Sequence, residues 1–214
     1  MTWEENDSIS DGGAVIWFTG LSGAGKTTLS RSVSRELVAL GHKVEILDGD
    51  EVRENLSRGL GFSREDRDEN VRRIGFVARL LARNGVVVLA SAISPYQQSR
   101  DDVRKALEND DLPFVEVFVS APLDVLIDRD VKGLYKKAIA GEIKNFTGIS
   151  DPYEIPHSPS LIVDSSAETL GESTERLLSF LTRTALTRTA ILRPPAATQT
   201  HPDGAVDGVT CEQL

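Results

Sequence analysis

A glycine-rich segment that leads into a lysine and two threonines carries the strongest chemical signal in the sequence. Residues 20–27 fit the pattern Gly-x-x-x-x-Gly-Lys-Thr, in which glycines let successive backbone N–H groups turn inward around a phosphate. We expect Lys26 to reach the β- and γ-phosphates of ATP and Thr27 to offer its hydroxyl to Mg²⁺. The residues predicted to bind ATP in this segment are Gly20, Leu21, Ser22, Gly23, Ala24, Gly25, Lys26, Thr27 and Thr28.

This phosphate loop alone does not separate kinases from other nucleotide hydrolases. A GTPase would carry a guanine-reading Asn-Lys-x-Asp motif, which the sequence lacks. A motor-type ATPase would usually end an apolar strand in Asp-Glu, whereas the apolar run 86–91 ends in Ser91. A small-molecule kinase is therefore the favoured class.

Two carboxylates, Asp48 and Asp50, follow the apolar run 44–47. At the carboxyl edge of a sheet they would lie near the γ-phosphate, where one could orient Mg²⁺ while the other accepts a proton from the acceptor hydroxyl. We favour Asp50 as the base and Asp48 as the metal ligand, and the reverse assignment also fits. A plain Asp-Gly turn is the structural alternative.

A second set of side chains suits an anionic substrate that also carries hydrogen-bonding groups. Arg53 is followed by Phe62, and Arg67 and Asn70 stand three residues apart, which places them on one helix face. Phe62 could stack on a base. The alternatives are that Phe62 packs as a hydrophobic staple and that Arg67 pairs with neighbouring carboxylates, and the residue pattern leaves both open.

A basic segment with glycines, 132–148, lies in a long connection. Such a segment fits a lid that closes over phosphates and excludes water. A solvated lysine-rich helix is the alternative interpretation.

The elements expected to position these groups alternate between strand and helix. Short apolar runs predict strands at 14–19, 43–47, 86–91, 114–119 and 161–164, and helical periodicity predicts helices at 26–40, 64–83, 97–109 and 170–181. Ser63 is the expected N-cap of the second helix. This order predicts a P-loop NTPase fold of the α/β class, a three-layer α/β/α domain with a mostly parallel five-stranded sheet.

The chain ends lack this periodicity. We predict a flexible lead-in over 1–12, a kinase domain over 13–182 and a flexible tail over 183–214, because the tail is rich in Thr, Ala, Pro and Gly. The alternative for the tail is an arm that docks on a partner subunit through Ile191 and Leu192.

Charge and composition narrow the expected setting. The net charge of −9 argues against general nucleic-acid binding. The longest apolar runs fall well short of the roughly 18 residues that span a bilayer, and the acidic start lacks the basic region of a signal peptide, so we expect a cytoplasmic protein without membrane contact. Cys211 is the sole cysteine, so neither an internal disulfide nor a thiolate zinc site can form.

Six motifs occur in one order, and over residues 14–181 the chain closely resembles the adenylylsulfate kinase family. They are the phosphate loop, Leu-Asp-Gly-Asp at 47–50, the segment 61–74 that begins Gly-Phe-Ser, Ile-Ser-Pro-Tyr at 93–96, and the lid motifs at 132–138 and 145–149. The resemblance implies transfer of the γ-phosphate of ATP to the 3′-hydroxyl of adenosine 5′-phosphosulfate. Because the sequence leaves no room for a fused ATP-sulfurylase domain, we expect a stand-alone kinase, and the resemblance implies a homodimer.

The resemblance assigns further residues to the site. Those expected around the adenylylsulfate are Arg53, Phe62, Arg67, Asn70, Ile93 and Phe146, with the adenine between the two phenylalanines. Arg129 would lie near the ATP adenine, and Lys132 would belong to the lid. Ser94 matches a serine to which the family assigns a phosphorylated intermediate, but positioning and charge neutralisation suffice for transfer between bound nucleotides.

Three positions depart from the family pattern. Val131 replaces a proline, Ile139 an arginine and Ala92 a phenylalanine, and we expect these changes to loosen the lid or alter ATP handling. Two other hypotheses compete with the adenylylsulfate kinase. One is a related kinase that acts on shikimate, gluconate or a nucleoside, and the other is a nucleotide-binding regulatory subunit without turnover.

Overall fold

Five parallel strands in the order β2-β3-β1-β4-β5 form the centre of the computed structural model, which describes residues 12–185. The strands are β1 (Ala14–Thr19), β2 (Val44–Asp48), β3 (Val87–Ser91), β4 (Phe114–Ser120) and β5 (Leu161–Asp164). The helices are α1 (Lys26–Ala39), α2 (Gly49–Glu54), α3 (Arg64–Ala82), α4 (Gln97–Glu108), α5 (Leu123–Arg129), α6 (Leu134–Ile139) and α7 (Leu170–Ala185).

The central strand β1 divides the core into two layers because its side chains alternate between the two faces of the sheet. Ile16 and Phe18 pack in a cluster that includes residues of α1 and α7. Val15 and Trp17 pack in a second cluster built mainly from α3 and α4. The predicted three-layer α/β/α architecture is therefore confirmed, and every strand pair is parallel.

The sheet register brings the predicted chemical groups to one edge. Asp48 at the end of β2 pairs with Ser91 at the end of β3, and Phe18 near the end of β1 pairs with the same serine. Parallel strands present their carboxyl ends together, so the segments that follow β1, β2 and β3 converge there.

The long helices agree with the periodicity, and the short ones were missed. Ser63 caps α3 as predicted, since its Oγ accepts a hydrogen bond of 3.2 Å from the backbone N–H of Asp66. The helices α2, α5 and α6 have six or seven residues, too few to show a helical period. A plain Asp-Gly turn, the structural alternative for Asp48 and Asp50, does not form, because Gly49 begins α2 with Asp48 as its N-cap.

The predicted chain ends are mostly outside the described residues. The helix α7 reaches Ala185, so it ends later than the predicted 181. The lead-in 1–11 and the tail 186–214, with Ile191, Leu192 and Cys211, lie beyond the described part. Within 12–185, no helix combines the length and the apolar character needed to cross a membrane.

Candidate active site

The phosphate loop connects β1 to α1 through backbone conformations that require glycine. Gly20 has φ +146°, and a Cβ there would lie 2.2 Å from the carbonyl oxygen of Val119. Gly25 has φ +98° and directly precedes the first turn of α1. The free N–H groups of that turn then point toward the place where phosphates bind.

Lys26 lies over the loop itself. Its Nζ donates hydrogen bonds of 2.9 Å to the carbonyl oxygens of Gly20 and Leu21. The pKa of Lys26 is lowered to about 8, chiefly by burial and secondly by the charge of Lys132, while the charges of Asp50 and Asp48 partly oppose the shift. A bound triphosphate would add negative charge beside Lys26 and so stabilise its ammonium form.

Thr27 and Asp48 bring two oxygen atoms together. The Thr27 hydroxyl donates to Asp48 Oδ2 over 2.8 Å, and Asp48 Oδ1 accepts the backbone N–H of Asp50 over 3.0 Å. Across 12–185, no group of three or more His, Cys, Asp or Glu side chains could hold a metal. The Thr27–Asp48 pair fits Mg²⁺, which takes few protein ligands and completes its shell with phosphate oxygens and water.

The lid contacts both the loop and the second carboxylate. Lys132 forms an ion pair with Asp50, whose side chain is 72% exposed. The hydroxyl of Tyr135 donates to the carbonyl of Ser22 over 2.9 Å. Asp130 accepts the backbone N–H of Tyr135, which fixes the start of α6. Asp130 and Tyr135 line the cavity, and we did not predict either as a site residue.

Phe62 lies beneath two guanidinium groups on the other side of the site. Its ring is 54% exposed, and the Cζ atoms of Arg53 and Arg67 lie 4.6 and 5.6 Å from the ring centre. The residue at the staple position of α3 is Arg67 itself, so Phe62 has a cation rather than an apolar partner there.

Arg67 and Asn70 are buried on the same face of α3, as predicted. Arg67 donates to the carbonyl oxygens of Phe62 (3.0 Å) and Asn145, and it lies 3.8 Å from Asp151. Its partners are therefore not the neighbouring carboxylates of α3. Asn70 is 6% exposed, and its Oδ1 has no hydrogen-bond partner among the described residues. A buried amide oxygen without a partner beside a cavity points to a bound ligand.

The loop after β3 contributes Ile93 and Ser94 to the cavity wall. Ser94 is only 2% exposed. Its Oγ accepts from Trp17 Nε1 over 3.0 Å and donates to Thr19 Oγ1 over 3.0 Å. Both interactions restrain the hydroxyl, and this environment is poor for a nucleophile.

One cavity of about 260 Å³ unites most of the predicted residues. Those that line it are Ser22, Gly23, Gly25, Lys26, Thr27, Thr28, Asp48, Asp50, Arg53, Phe62, Arg67, Asn70, Ile93, Ser94 and Lys132. The departures Ala92 and Val131 line it too, whereas Ile139 does not.

The remaining predicted residues lie outside the cavity wall, which does not include Gly20, Leu21, Ala24, Arg129 or Phe146. Phe146 packs edge-on against Tyr135, with the ring centres 5.1 Å apart. Arg129 donates to the Oγ and the carbonyl oxygen of Ser165, at 3.2 and 2.8 Å. The structure thus does not bring Phe62 and Phe146 together in one wall.

Comparison with known proteins decides the family. The family model described as "Adenylylsulphate kinase" matches residues 12–164. The chain belongs to the adenylylsulphate kinase family. An adenylyl-sulfate kinase of Myxococcus xanthus is 60% identical over 174 residues, which cover 81% of this chain and 94% of the relative. The predicted resemblance and the class of enzyme are thereby confirmed.

Solved structures agree with this assignment. The APS kinase CysC of Mycobacterium tuberculosis, in complex with AMPPNP and APS, has a TM-score of 0.77 and 44% identity, covering 79% of this kinase and 98% of that chain. A hexameric APS kinase from Thiobacillus denitrificans has a TM-score of 0.65 and 35% identity, covering 86% of this kinase and 30% of that chain.

Proposed function

We propose that this kinase transfers the γ-phosphate of ATP to the 3′-hydroxyl of adenosine 5′-phosphosulfate, with Asp50 as the base. The family match confirms the adenylylsulfate kinase reaction predicted from the sequence. The observation that supports the location of this reaction is one cavity that joins both groups of predicted residues. One part of its wall is the phosphate loop, and another holds Phe62, Arg67 and Asn70, which suit a second nucleotide.

Two carboxylates divide the chemistry in this proposal. Both oxygens of Asp48 are already engaged, by Thr27 and by the backbone of α2. Asp50 is exposed and forms an ion pair with Lys132, which is itself exposed, so its oxygens can reach a substrate hydroxyl. The 3′-oxygen forms a bond to the γ-phosphorus while the bond to the β-phosphate oxygen breaks. The hydroxyl proton moves to Asp50, and ADP leaves.

Thr27 and Asp48 would hold Mg²⁺ together with phosphate oxygens of ATP. When bound, the ion neutralises charge on the transferring phosphoryl group. Lys26 turns from the carbonyls of Gly20 and Leu21 to the β- and γ-phosphates. Gly20, Leu21 and Ala24 shape the loop behind them, and Arg129 is proposed to lie near the ATP adenine.

The acceptor nucleotide is proposed to use the exposed Phe62 ring as a stacking platform. Asn70 Oδ1 offers a free acceptor, and Arg53 and Arg67 provide positive charge for the phosphosulfate. Phe146, next to Tyr135, is proposed to reach the adenine when the lid moves, and Ile93 to contact the sugar side.

Opening of the lid is part of this proposal. The cavity of about 260 Å³ lies below the roughly 300–1,000 Å³ that encloses one drug-sized ligand, which supports a wider site when both nucleotides are bound. Opening would break the contact of Lys132 with Asp50 and that of Tyr135 with Ser22. We also propose that copies of the chain assemble as a homodimer, and that the enzyme works in the cytoplasm, where ATP is available.

A product assay tests the function. The purified kinase is mixed with Mg²⁺, ATP and adenosine 5′-phosphosulfate, and chromatography with mass spectrometry follows the 3′-phosphorylated product. We expect this product with the wild type and none with Lys26→Ala. Equal or faster turnover of shikimate, gluconate or a nucleoside would contradict the proposal, as would tight nucleotide binding without any transfer.

A further inference from the structure

A fully buried arginine lies behind the acceptor part of the cavity. Arg100 on α4 is 0% exposed and does not line the cavity. It contacts the loop that does, the segment 93–95 after β3. The reaction described above gives this residue no task, although burying a guanidinium carries a large desolvation cost.

The contacts of Arg100 converge on two chain segments. Its Nη1 donates to the carbonyl oxygen of Ser94 over 2.6 Å. Its Nη2 donates to the carbonyl oxygen of Glu154 and to the side chain of Gln97, each over 2.8 Å. The guanidinium therefore ties the cavity loop to the segment around Glu154, whose backbone N–H also donates to Pro95 over 2.8 Å.

The counter-charge comes from the sheet. Glu116 on β4 is 0% exposed, and its Oε1 lies 2.9 Å from Arg100 Nε as an ion pair that lacks hydrogen-bond alignment. Its Oε2 accepts from Arg104 over 2.6 Å. In the sheet register Glu116 is the direct partner of Trp17 on β1. Trp17 donates to the hydroxyl of Ser94. Glu116 pairs with Arg100, which donates to the carbonyl oxygen of Ser94.

These contacts with its hydroxyl and its carbonyl stabilise Ser94 in a backbone conformation that residues with a side chain rarely adopt. Its φ is +41°, and a residue other than glycine stays there only when its surroundings determine it. The turn also directs Ile93, whose carbonyl oxygen accepts from Thr19 over 2.7 Å. A change at Ser94 therefore moves the wall that faces the acceptor.

We propose that Arg100 is a positioning residue for the acceptor nucleotide: it fixes the Ser94 carbonyl and so holds the 93–95 loop in the shape that binds adenosine 5′-phosphosulfate. This inference rests on the proposed function of the same cavity. Lysine at this position keeps the charge but lacks the planar fork that reaches Ser94 and Glu154 together.

The test compares Arg100→Lys with Arg79→Lys as a matched control. Arg79 is also on a helix and forms a two-bond ion pair with Asp110, but it does not line the cavity. With each substrate varied in turn, we expect Arg100→Lys to raise KM for adenosine 5′-phosphosulfate about tenfold, with KM for ATP changed less than about twofold. Arg79→Lys should move neither constant.

An equal change in both KM values, or no change in either, would overturn the proposal. If Arg100→Lys does not fold, Glu116→Gln decides instead, because it keeps the shape but removes the counter-charge; a selective rise in KM for adenosine 5′-phosphosulfate supports the proposal, and its absence overturns it. If the wild type makes no 3′-phosphorylated product, the proposed function fails, which is distinct from an active wild type whose variants show no selectivity.

Discussion

Asp50 and Lys132 form an ion pair that joins the lid to the edge of the sheet. The partners are 82 residues apart in the chain, and both line the cavity with Lys26. The contact places an exposed carboxylate in the cavity that holds the phosphate loop. In the proposed mechanism, the lid releases this carboxylate before it accepts a proton.

Asp50→Asn tests the base. The amide keeps the size of the side chain but cannot take the proton, so we expect kcat to fall by about 10²–10⁴-fold while the dissociation constants of both nucleotides change little. Steady-state kinetics and calorimetry measure the two effects. Asp102→Asn, at an exposed position of α4, is the control and should retain full activity. A kcat of Asp50→Asn within a few-fold of the wild type would assign the base elsewhere.

The affinity for ATP should depend on pH through Lys26. Its pKa in the free enzyme is lowered to about 8, and bound phosphates raise it, so ATP binding takes up a proton above pH 8. The ammonium is present at pH 7 and mostly lost at pH 9. We therefore expect the ATP dissociation constant to rise about tenfold between these values.

Calorimetry in buffers of different ionisation enthalpy measures both the dissociation constant and the proton uptake. Lys26→Arg stays charged throughout and should show a much flatter profile. The same wild-type affinity at pH 7 and pH 9 would contradict a lowered pKa for Lys26.

Phe62 and Phe76 offer a matched pair for the stacking platform. Both belong to the α3 region and are 54% and 56% exposed, but only Phe62 lines the cavity. Loss of one base–aromatic stack costs about 1–3 kcal/mol, so Phe62→Ala should weaken adenosine 5′-phosphosulfate binding by roughly 5–150-fold. Phe76→Ala should leave it unchanged. Equal effects of the two substitutions on binding would remove Phe62 from the acceptor site.

The N-cap of α3 supplies a test of stability. Ser63→Ala removes the acceptor for the N–H of Asp66, and the loss of such a cap lowers the free energy of unfolding by about 1 kcal/mol. Urea denaturation followed by circular dichroism measures this change. Ser179→Ala, at an exposed position inside α7, should be close to neutral. A Ser63→Ala variant as stable as the wild type would show that water replaces the cap without cost.

The sequence was sufficient where the residue pattern was local. The phosphate loop, the carboxylates after β2 and the shared face of Arg67 and Asn70 follow from spacing along the chain, and the structure brings these residues to one cavity. The residue pattern left open whether Phe62 packs as a hydrophobic staple and whether Arg67 pairs with neighbouring carboxylates. Only tertiary contacts could decide this, because the partners of Arg67 include Asn145 and Asp151 from a distant segment.

The parts that were missed depend on short elements or on long-range pairs. The lid helix α6 has six residues, and Asp130, which accepts backbone N–H groups of its first turn, carries no motif by itself. Thr19 and Tyr153, whose hydroxyls lie 2.9 Å apart, are separated by 134 positions. In the sequence, Arg100 and Glu116 cannot be told from ordinary surface charges. Their pairing behind Ser94 depends on the register of β1 and β4, which the sequence does not show.

The fate of a labelled γ-phosphate tests the central claim most directly. The enzyme is mixed with γ-labelled ATP, Mg²⁺ and adenosine 5′-phosphosulfate for a single turnover, and the label is located in both product and protein. We predict that the label moves to the 3′-position of the adenylylsulfate and that none is found on Ser94. Label retained on the protein as a competent intermediate, or absent from the 3′-position, would contradict direct transfer within this cavity.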